Sequence, residues 1–472
     1  MKLQRYKLGE LVDVTRGTSL SGEYYSTEGS LIRLTLGNFD YSKGGFKANT
    51  SKDNIFFTGE VKPEYILNEG DIITPLTEQT PGLLGSTVRI PESGKYIQSQ
   101  DVALIKCKPG KIAPSFCYYL VSSAPVKKQL GAAAQQTKIR HTSPDKIKDV
   151  IVDIPSLEEQ AAIGHFLDTL DSKIENTRTI NDYLEAMARQ LYDYWFVQFD
   201  FPDENGKPYK SSSGKMVWNE KLKREIPDGW EVLPLKDICD IVNGATPSTE
   251  EVGNYGGEIV WITPKDLSNQ KSKFTFFGER NITKKGYDSC STTLVGENTI
   301  LLSSRAPIGL LSIAKCKLCT NQGFKSIAPK DNNITPYLYY FIKEHLPQIE
   351  QLGTGTTFKE VSRGDIEGFP IMLPSNGLLM KWTAFVKDIF DKQFSLYQEV
   401  VDSSKMRDEL LPLLMNGQVS VRQLNNHLSK TIAHLGYFRQ FNSPGVFRLR
   451  FADRIETQQK RKIKDLSFTL NP

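Results

Sequence analysis

Chemically reactive side chains are scarce in this chain. Among 472 residues there are only six cysteines and five histidines. The cysteines stand at irregular spacings, unlike a disulfide framework, and fit a reducing, cytoplasmic setting. Cys316-Lys317-Leu318-Cys319 has the spacing of half a zinc site. No second Cys-x-x-Cys or histidine pair supplies the other ligands, so the two read as part-buried strand thiols and no metal is expected. His141, His165, His345, His427 and His434 form no ligand cluster and follow no nucleophile signature. The chain has no Gly-Lys-Ser/Thr phosphate loop, and no Asn/Asp-Pro-Pro-aromatic run of the kind that holds a flipped adenine. Catalysis therefore has no candidate residues, and no bound cofactor is expected. No apolar run approaches the roughly 18 residues of a membrane helix. The opening Met1-Lys2-Leu3-Gln4-Arg5-Tyr6-Lys7 turns polar again at Gly9-Glu10 and does not read as a secretory signal.

Excess charge is slight too. A net charge of +4 permits nucleic-acid binding without demanding it, because binding depends on how charge clusters on one face. With 39% hydrophobic and 24% charged residues the composition is that of an ordinary globular protein, and 472 residues suit two to four domains.

What the chain has instead is a second copy of itself. Leu8, Leu11, Asp13, Val14 and Gly17 are echoed by Leu235, Ile238, Asp240, Ile241 and Gly244, about 227 residues later. Ser99-Gln100 matches Asn321-Gln322, Leu130-Gly131 matches Leu352-Gly353, and Ile154-Pro155 matches Leu373-Pro374. The separation drifts to about 219, as insertions and deletions in surface loops produce. Order and spacing both hold, which points to duplication of a whole domain.

Two long helices punctuate the copies. From Ser156, which forms a capping-box pattern with Glu159, to about Phe199, interior Gly and Pro are nearly absent. Ile163, Leu170, Leu184 and Leu191 recur in sevens, with Leu167, Ile174 and Asn181 in the offset series. A second such stretch, from about Asn376 to Asn416, carries Trp382, Ile389, Leu396 and Leu410 with Val386 and Val400. Each helix alone would expose an apolar stripe, so the economical arrangement is an antiparallel pair. The expected fold is α+β. Two mixed α/β target domains, 1–155 and 230–374, are separated by helices at 156–199 and 375–417, with a turn-rich connector at 200–229. The stretch 418–472 is left as a basic tail whose commonest role is solvation.

Lys271-Ser272-Lys273-Phe274-Thr275-Phe276-Phe277 interleaves basic and aromatic residues as single-strand stacking surfaces do. Phe56-Phe57 stands at the matching place in the first copy, which favours a core role. Gly353-Thr354-Gly355 lacks the context of a dinucleotide fold and reads as a loop.

Better nucleic-acid candidates are polar and basic loop residues at corresponding places in both copies. Thr18 and Ser19 answer Thr246 and Ser248, while Thr77 and Gln79 answer Ser303, Ser304 and Arg305. Gln100 answers Gln322, and Lys138, Arg140 and His141 answer Thr356, Thr357 and Lys359. Glutamine can read adenine bidentately, arginine can read guanine, and lysine or threonine can hold phosphate. For any single residue of the set a solvated-loop role competes. For the whole chain, a helical scaffold that binds proteins and no DNA is the other reading.

The order of segments resembles the specificity subunits of type I restriction–modification enzymes. The resemblance rests on Ile154-Pro155-Ser156-Leu157-Glu158-Glu159-Gln160 and on Phe199-Asp200-Phe201-Pro202 through Asn205-Gly206-Lys207-Pro208-Tyr209. It also rests on Ile226-Pro227-Asp228-Gly229-Trp230 and on Leu410-Leu411-Pro412-Leu413-Leu414-Met415-Asn416-Gly417. It implies a noncatalytic chain with two target-recognition domains, each reading half of a split double-stranded DNA site, and helices that fix the gap between the halves. Two methyltransferase subunits would dock on it and restriction subunits on those, with S-adenosylmethionine, ATP and Mg on the partners. One departure stands out: Pro374-Ser375-Asn376-Gly377 replaces the Glu-Glu-Gln helix entry in the second copy.

Overall fold

The computed structural model describes residues 1–41, 44–50, 52–78, 80, 82–133, 140–355 and 359–424. Gln79, Lys138, Thr356, Thr357 and the basic stretch from 425 onward lie outside the described residues. The chain divides into two compact units: Met1–Phe166 with the chain from Leu410 on, and Leu167–Glu409.

The first unit is built on an antiparallel sheet with the strand order Val12–Arg16, Val102–Cys107, Ile72–Pro75, Val88–Arg89. Ile72–Pro75 is buried along its whole length, as are Val102 to Ile105. Strands covered on both faces read as continuous apolar runs rather than alternating ones, which is the pattern here. Leu34, Phe39, Leu67, Ile73 and Val88 fill the core beside the sheet. A short parallel pair, Ile32 opposite Tyr96, lies apart from the main sheet, and Gln4–Lys7 pairs antiparallel with Ile151–Ile154.

The second unit repeats that plan. Cys239–Asn243, Phe324–Pro329, Ile300–Ser303 and Leu311–Ala314 follow one another in the same order, and Phe274–Thr275 adds a fifth strand. Trp261 lies opposite Cys319 in a parallel pair, and Glu231–Pro234 pairs antiparallel with Pro370–Leu373. Strand order and strand sense both recur, so the repeat is a repeat of topology as well as of sequence.

One long helix spans Leu157–Tyr192, followed by a wider π turn at Asp193–Val197; the other spans Asn376–Met415. At 1.5 Å per residue the first is about 54 Å long. Ser156 accepts the Glu159 amide at 3.4 Å, satisfying one of the free amides of the first turn. Gly417 takes a left-handed φ of 72° just past the second helix, as a terminating glycine does. Pro412 is accommodated inside the last turn.

Within the second unit the helices run antiparallel. Arg407 meets Asp171 at 2.9 Å, Lys173 meets Glu399 at 2.8 Å, and Gln393 meets Glu185 at 3.2 Å. Leu167, Ile174, Trp382, Val386 and Leu396 are buried; Leu170, Asn181, Leu184, Leu191, Ile389 and Val400 are half-buried. Ile163 and Leu410, in the first unit, are also buried. The helices share a core with the second repeat: the Trp382 ring lies 5.1 Å from Phe196 and Phe196 lies 4.8 Å from Tyr337. Phe274 and Phe276 pack edge-on against Phe394 at 5.6 Å, so those rings build the core and offer no stacking surface.

A polar knot interrupts this apolar core. Glu185 on the first helix pairs with Lys273 and, at 2.8 Å, with Lys343. Lys273 also donates to Tyr340 at 2.7 Å and to Gln393 at 2.8 Å. Burial opposes ionisation of Glu185, but the two ammonium groups outweigh it and hold the carboxyl down to about 2. Burial in turn pulls the Lys273 ammonium down to about 8 against the pull of Glu185.

Candidate nucleic-acid interface

The candidate loops of the first copy gather at one end of its sheet. Gly17 brings the loop after Val12–Arg16 against the neighbouring turn so closely that a Cβ there would lie 2.2 Å from the Gln98 carbonyl oxygen. Beyond it the Thr18 amide donates to that carbonyl at 3.1 Å, and Thr18 bridges Ser99. The Arg16 guanidinium donates to the Gln100 carbonyl at 2.8 Å. Leu76 donates to Asp101 at 2.8 Å, and Thr142 donates to Leu76 at 2.9 Å. Thr77–Glu78 and Arg140–His141 then form a two-residue antiparallel ladder. Four loops are thus tied together by backbone bonds.

The second copy repeats the close-packed glycine and the backbone bonds made by Thr18, Leu76 and Thr142. A Cβ on Gly244 would lie 2.1 Å from the Asn321 carbonyl oxygen, and Ala245 donates to Thr320 at 3.0 Å. Ser304 donates to Gly323 at 2.8 Å, and Val361 donates to Ser304 at 3.0 Å. What differs between the copies is the side chains hung on this frame.

Ser19, Gln100 and His141 are exposed in the first copy, with Thr18 and Thr77 half-buried; Thr246, Ser248, Gln322 and Lys359 are exposed in the second. The Thr246 hydroxyl donates to the Gln322 side-chain carbonyl, which orients that amide. A carbonyl oxygen has two lone pairs, so Gln322 can still accept from an adenine amino group. Arg16 was not among the candidates; its signal was a basic residue directly before the close-packed glycine.

Two of the candidates sit elsewhere than at the surface. Ser303 and Ser304 are 0% and 1% exposed. The Ser303 hydroxyl donates to the Pro307 carbonyl at 2.7 Å and accepts the Leu310 amide at 2.8 Å, which ties the turn shut. A buried hydroxyl cannot meet a base edge without displacing its own loop. Arg140 and Arg305 are committed to ion pairs, Arg140 with Glu78 at 3.1 Å and Arg305 with Glu360 at 2.9 Å. The Cys316 thiol faces the Phe276 carbonyl at 3.4 Å, and Cys319 is buried in the short strand that ends at Thr320. Among the described residues no helix is long and apolar enough to cross a membrane.

A duplicated α+β domain, each copy with loops presented at one end of its sheet and a long helix after it, is the architecture of a two-copy recognition protein. Residues 2–186 and 227–377 match the type I restriction modification DNA specificity domain, and the chain belongs to that family, with two copies of its domain. Over 203 residues it is 38% identical to the MjaIX type I restriction enzyme specificity subunit of Methanocaldococcus jannaschii; this stretch covers 42% of the chain and 45% of that relative. Over 377 residues it is 25% identical to the HindI type I restriction enzyme specificity subunit of Haemophilus influenzae, covering 69% of this chain and 81% of the other. Its fold is that of the type I restriction–modification S subunit from M. genitalium. That crystal structure superposes with a TM-score of 0.57 at 16% identity, covering 88% of this chain and 96% of that one.

Proposed function

We propose that this chain is the noncatalytic DNA-reading subunit of a type I restriction–modification complex, each copy reading one half of a split double-stranded site. The observation that carries the reading is the duplicated loop cluster, whose backbone ties are the same in both copies while its side chains differ. A constant frame with variable side chains is what two readers of different half-sequences need, since base edges are distinguished by side-chain donors and acceptors. Ser19, Gln100 and His141 in one copy, and Thr246, Ser248, Gln322 and Lys359 in the other, are the exposed groups offered to DNA. Thr18 and Thr77 lie at the edge of the set; Ser303 and Ser304 are left out of it by their burial. Methyltransferase subunits, two by the count of copies, dock on this chain and restriction subunits dock on them. S-adenosylmethionine, ATP and Mg belong to those partners, and the complex works in the cytoplasm.

The test is to map adenine methylation across the genome of a host with and without this chain, its methyltransferase subunits being present in both. A new bipartite methylated sequence that appears only with the chain supports the reading. An unchanged methylation map overturns it.

A further inference from the structure

The two copies hold the same turn shut with ion pairs of opposite polarity. In the first copy the acid comes first in sequence: Glu78, beyond Ile72–Pro75, meets Arg140. In the second the base comes first: Arg305, beyond Ile300–Ser303, meets Glu360. The positions correspond within one residue, because Thr142 donates to Leu76 just as Val361 donates to Ser304. Backbone pairing accompanies each ion pair, Arg140 opposite Glu78 and Arg305 opposite Glu360.

Neither pair is a casual surface contact. The Glu78 side chain is fully buried, and its second oxygen accepts the Leu83 and Leu84 amides at 2.7 and 2.9 Å. Arg140 also donates to the Gly131 carbonyl, on the near side of residues 134–139. Glu360 accepts from Lys325, whose own side chain is only 8% exposed, at 3.1 Å, and its backbone exchanges two bonds of 3.0 Å with Thr354. Partial burial opposes ionisation of Glu360, yet Lys325 and Arg305 outweigh it and keep the carboxyl below its usual range. A charged pair this constrained retains more of its attraction than a freely solvated one.

We propose that Glu78–Arg140 and Arg305–Glu360 are positioning latches: each clamps the returning chain onto the end of the sheet and so sets the pose of that copy's reader loops. On this assignment Arg140 and Arg305 are positioning residues and do not read bases.

The proposal rests on the DNA-reading function and is tested with the full chain assembled with its methyltransferase subunits. Arg305 is about half exposed, so Arg305→Ala is expected to fold. Three results are expected together. Base preference in the second half-site relaxes about tenfold while the first is unchanged, hydrogen exchange at the Thr354, Glu360 and Val361 amides accelerates, and Arg305→Lys restores both. Glu360→Gln serves as the second variant and should reproduce the loss. If the wild-type complex shows no sequence preference, the DNA-reading function itself fails. If the wild type is selective and Arg305→Ala leaves both the preference and the exchange unchanged, the latch alone is overturned. A loss confined to one base pair, with unchanged exchange, also overturns the latch, because it would make Arg305 a reader.

Discussion

Gly17 and Gly244 show how a single missing side chain organises a site. Neither is needed for an unusual backbone angle; each is needed because the opposing carbonyls lie about where a Cβ would sit. That contact seats the following loop against the turn that carries Gln100 or Gln322, so the candidate interface depends on hydrogen atoms at two positions. In the second copy Gln322 is then within reach of the Thr246 hydroxyl. Gly244→Ala must push the loop away from the 320–322 turn. Overpacking of this kind costs about 1–3 kcal/mol. We expect a lower melting temperature and, in DNA binding, loss of preference in the second half-site only. A variant that melts with the wild type and keeps that preference would show that the close approach has no functional weight. The echo of these glycines was legible in sequence, but their cause was not, since it lies in a turn about 80 residues away.

Helix pairing is where sequence periodicity and structure meet most directly. The seven-residue spacing picked out residues that are buried or half-buried, because the spacing follows from helix geometry alone. The Glu185–Lys273–Lys343 knot was not legible: it joins three segments far apart in sequence, and Lys273 stood inside a basic–aromatic run that pointed elsewhere. Nor did sequence separate the buried Ser303 and Ser304 from their exposed neighbours, because a serine that closes a turn and one that meets solvent have the same composition signal. Glu185 titrates well below its unfolded value, so its contribution to stability is present above about pH 4.5 and is lost as pH falls towards about 2. Urea denaturation across that window should show the wild type losing stability and Glu185→Gln showing a flatter dependence. At neutral pH the same variant, which leaves Lys273 buried beside a neutral partner, should be less stable by about 3–5 kcal/mol. A parallel pH dependence in the two proteins would remove Glu185 from the acid response. Asn181 behaves in the opposite way. Its side-chain carbonyl is buried with no hydrogen-bond partner among the described residues, while register is already held by Arg407–Asp171 and Gln393–Glu185. Asn181→Leu should therefore raise stability by about 1 kcal/mol and keep the chain's oligomeric state, as chemical denaturation and light scattering would check. New self-association would instead mean that Asn181 guards the register.

For the molecule as a whole, duplication makes a claim of independence. Each copy holds its own sheet, its own close-packed glycine and its own latch, and the two sheets share strand order without sharing strands. Among the described residues, the backbone bonds that tie each loop cluster are all made within its own copy. If the copies read DNA separately, the effect of a reader substitution must be confined to one half-site. Gln100→Ala should relax preference at one half and leave the other at wild-type selectivity; Gln322→Ala should do the converse. Losing a bidentate glutamine–adenine contact is worth about 1–3 kcal/mol of discrimination, or roughly tenfold to a hundredfold in relative binding. The double variant should then show the two losses added, since distant sites without shared partners combine nearly additively. Binding selections on libraries randomised in each half-site separately would measure all three proteins. Relaxation spreading to both halves from either single variant would mean that the copies are coupled when DNA is bound, and the independence inferred from the repeated frame would have to be given up.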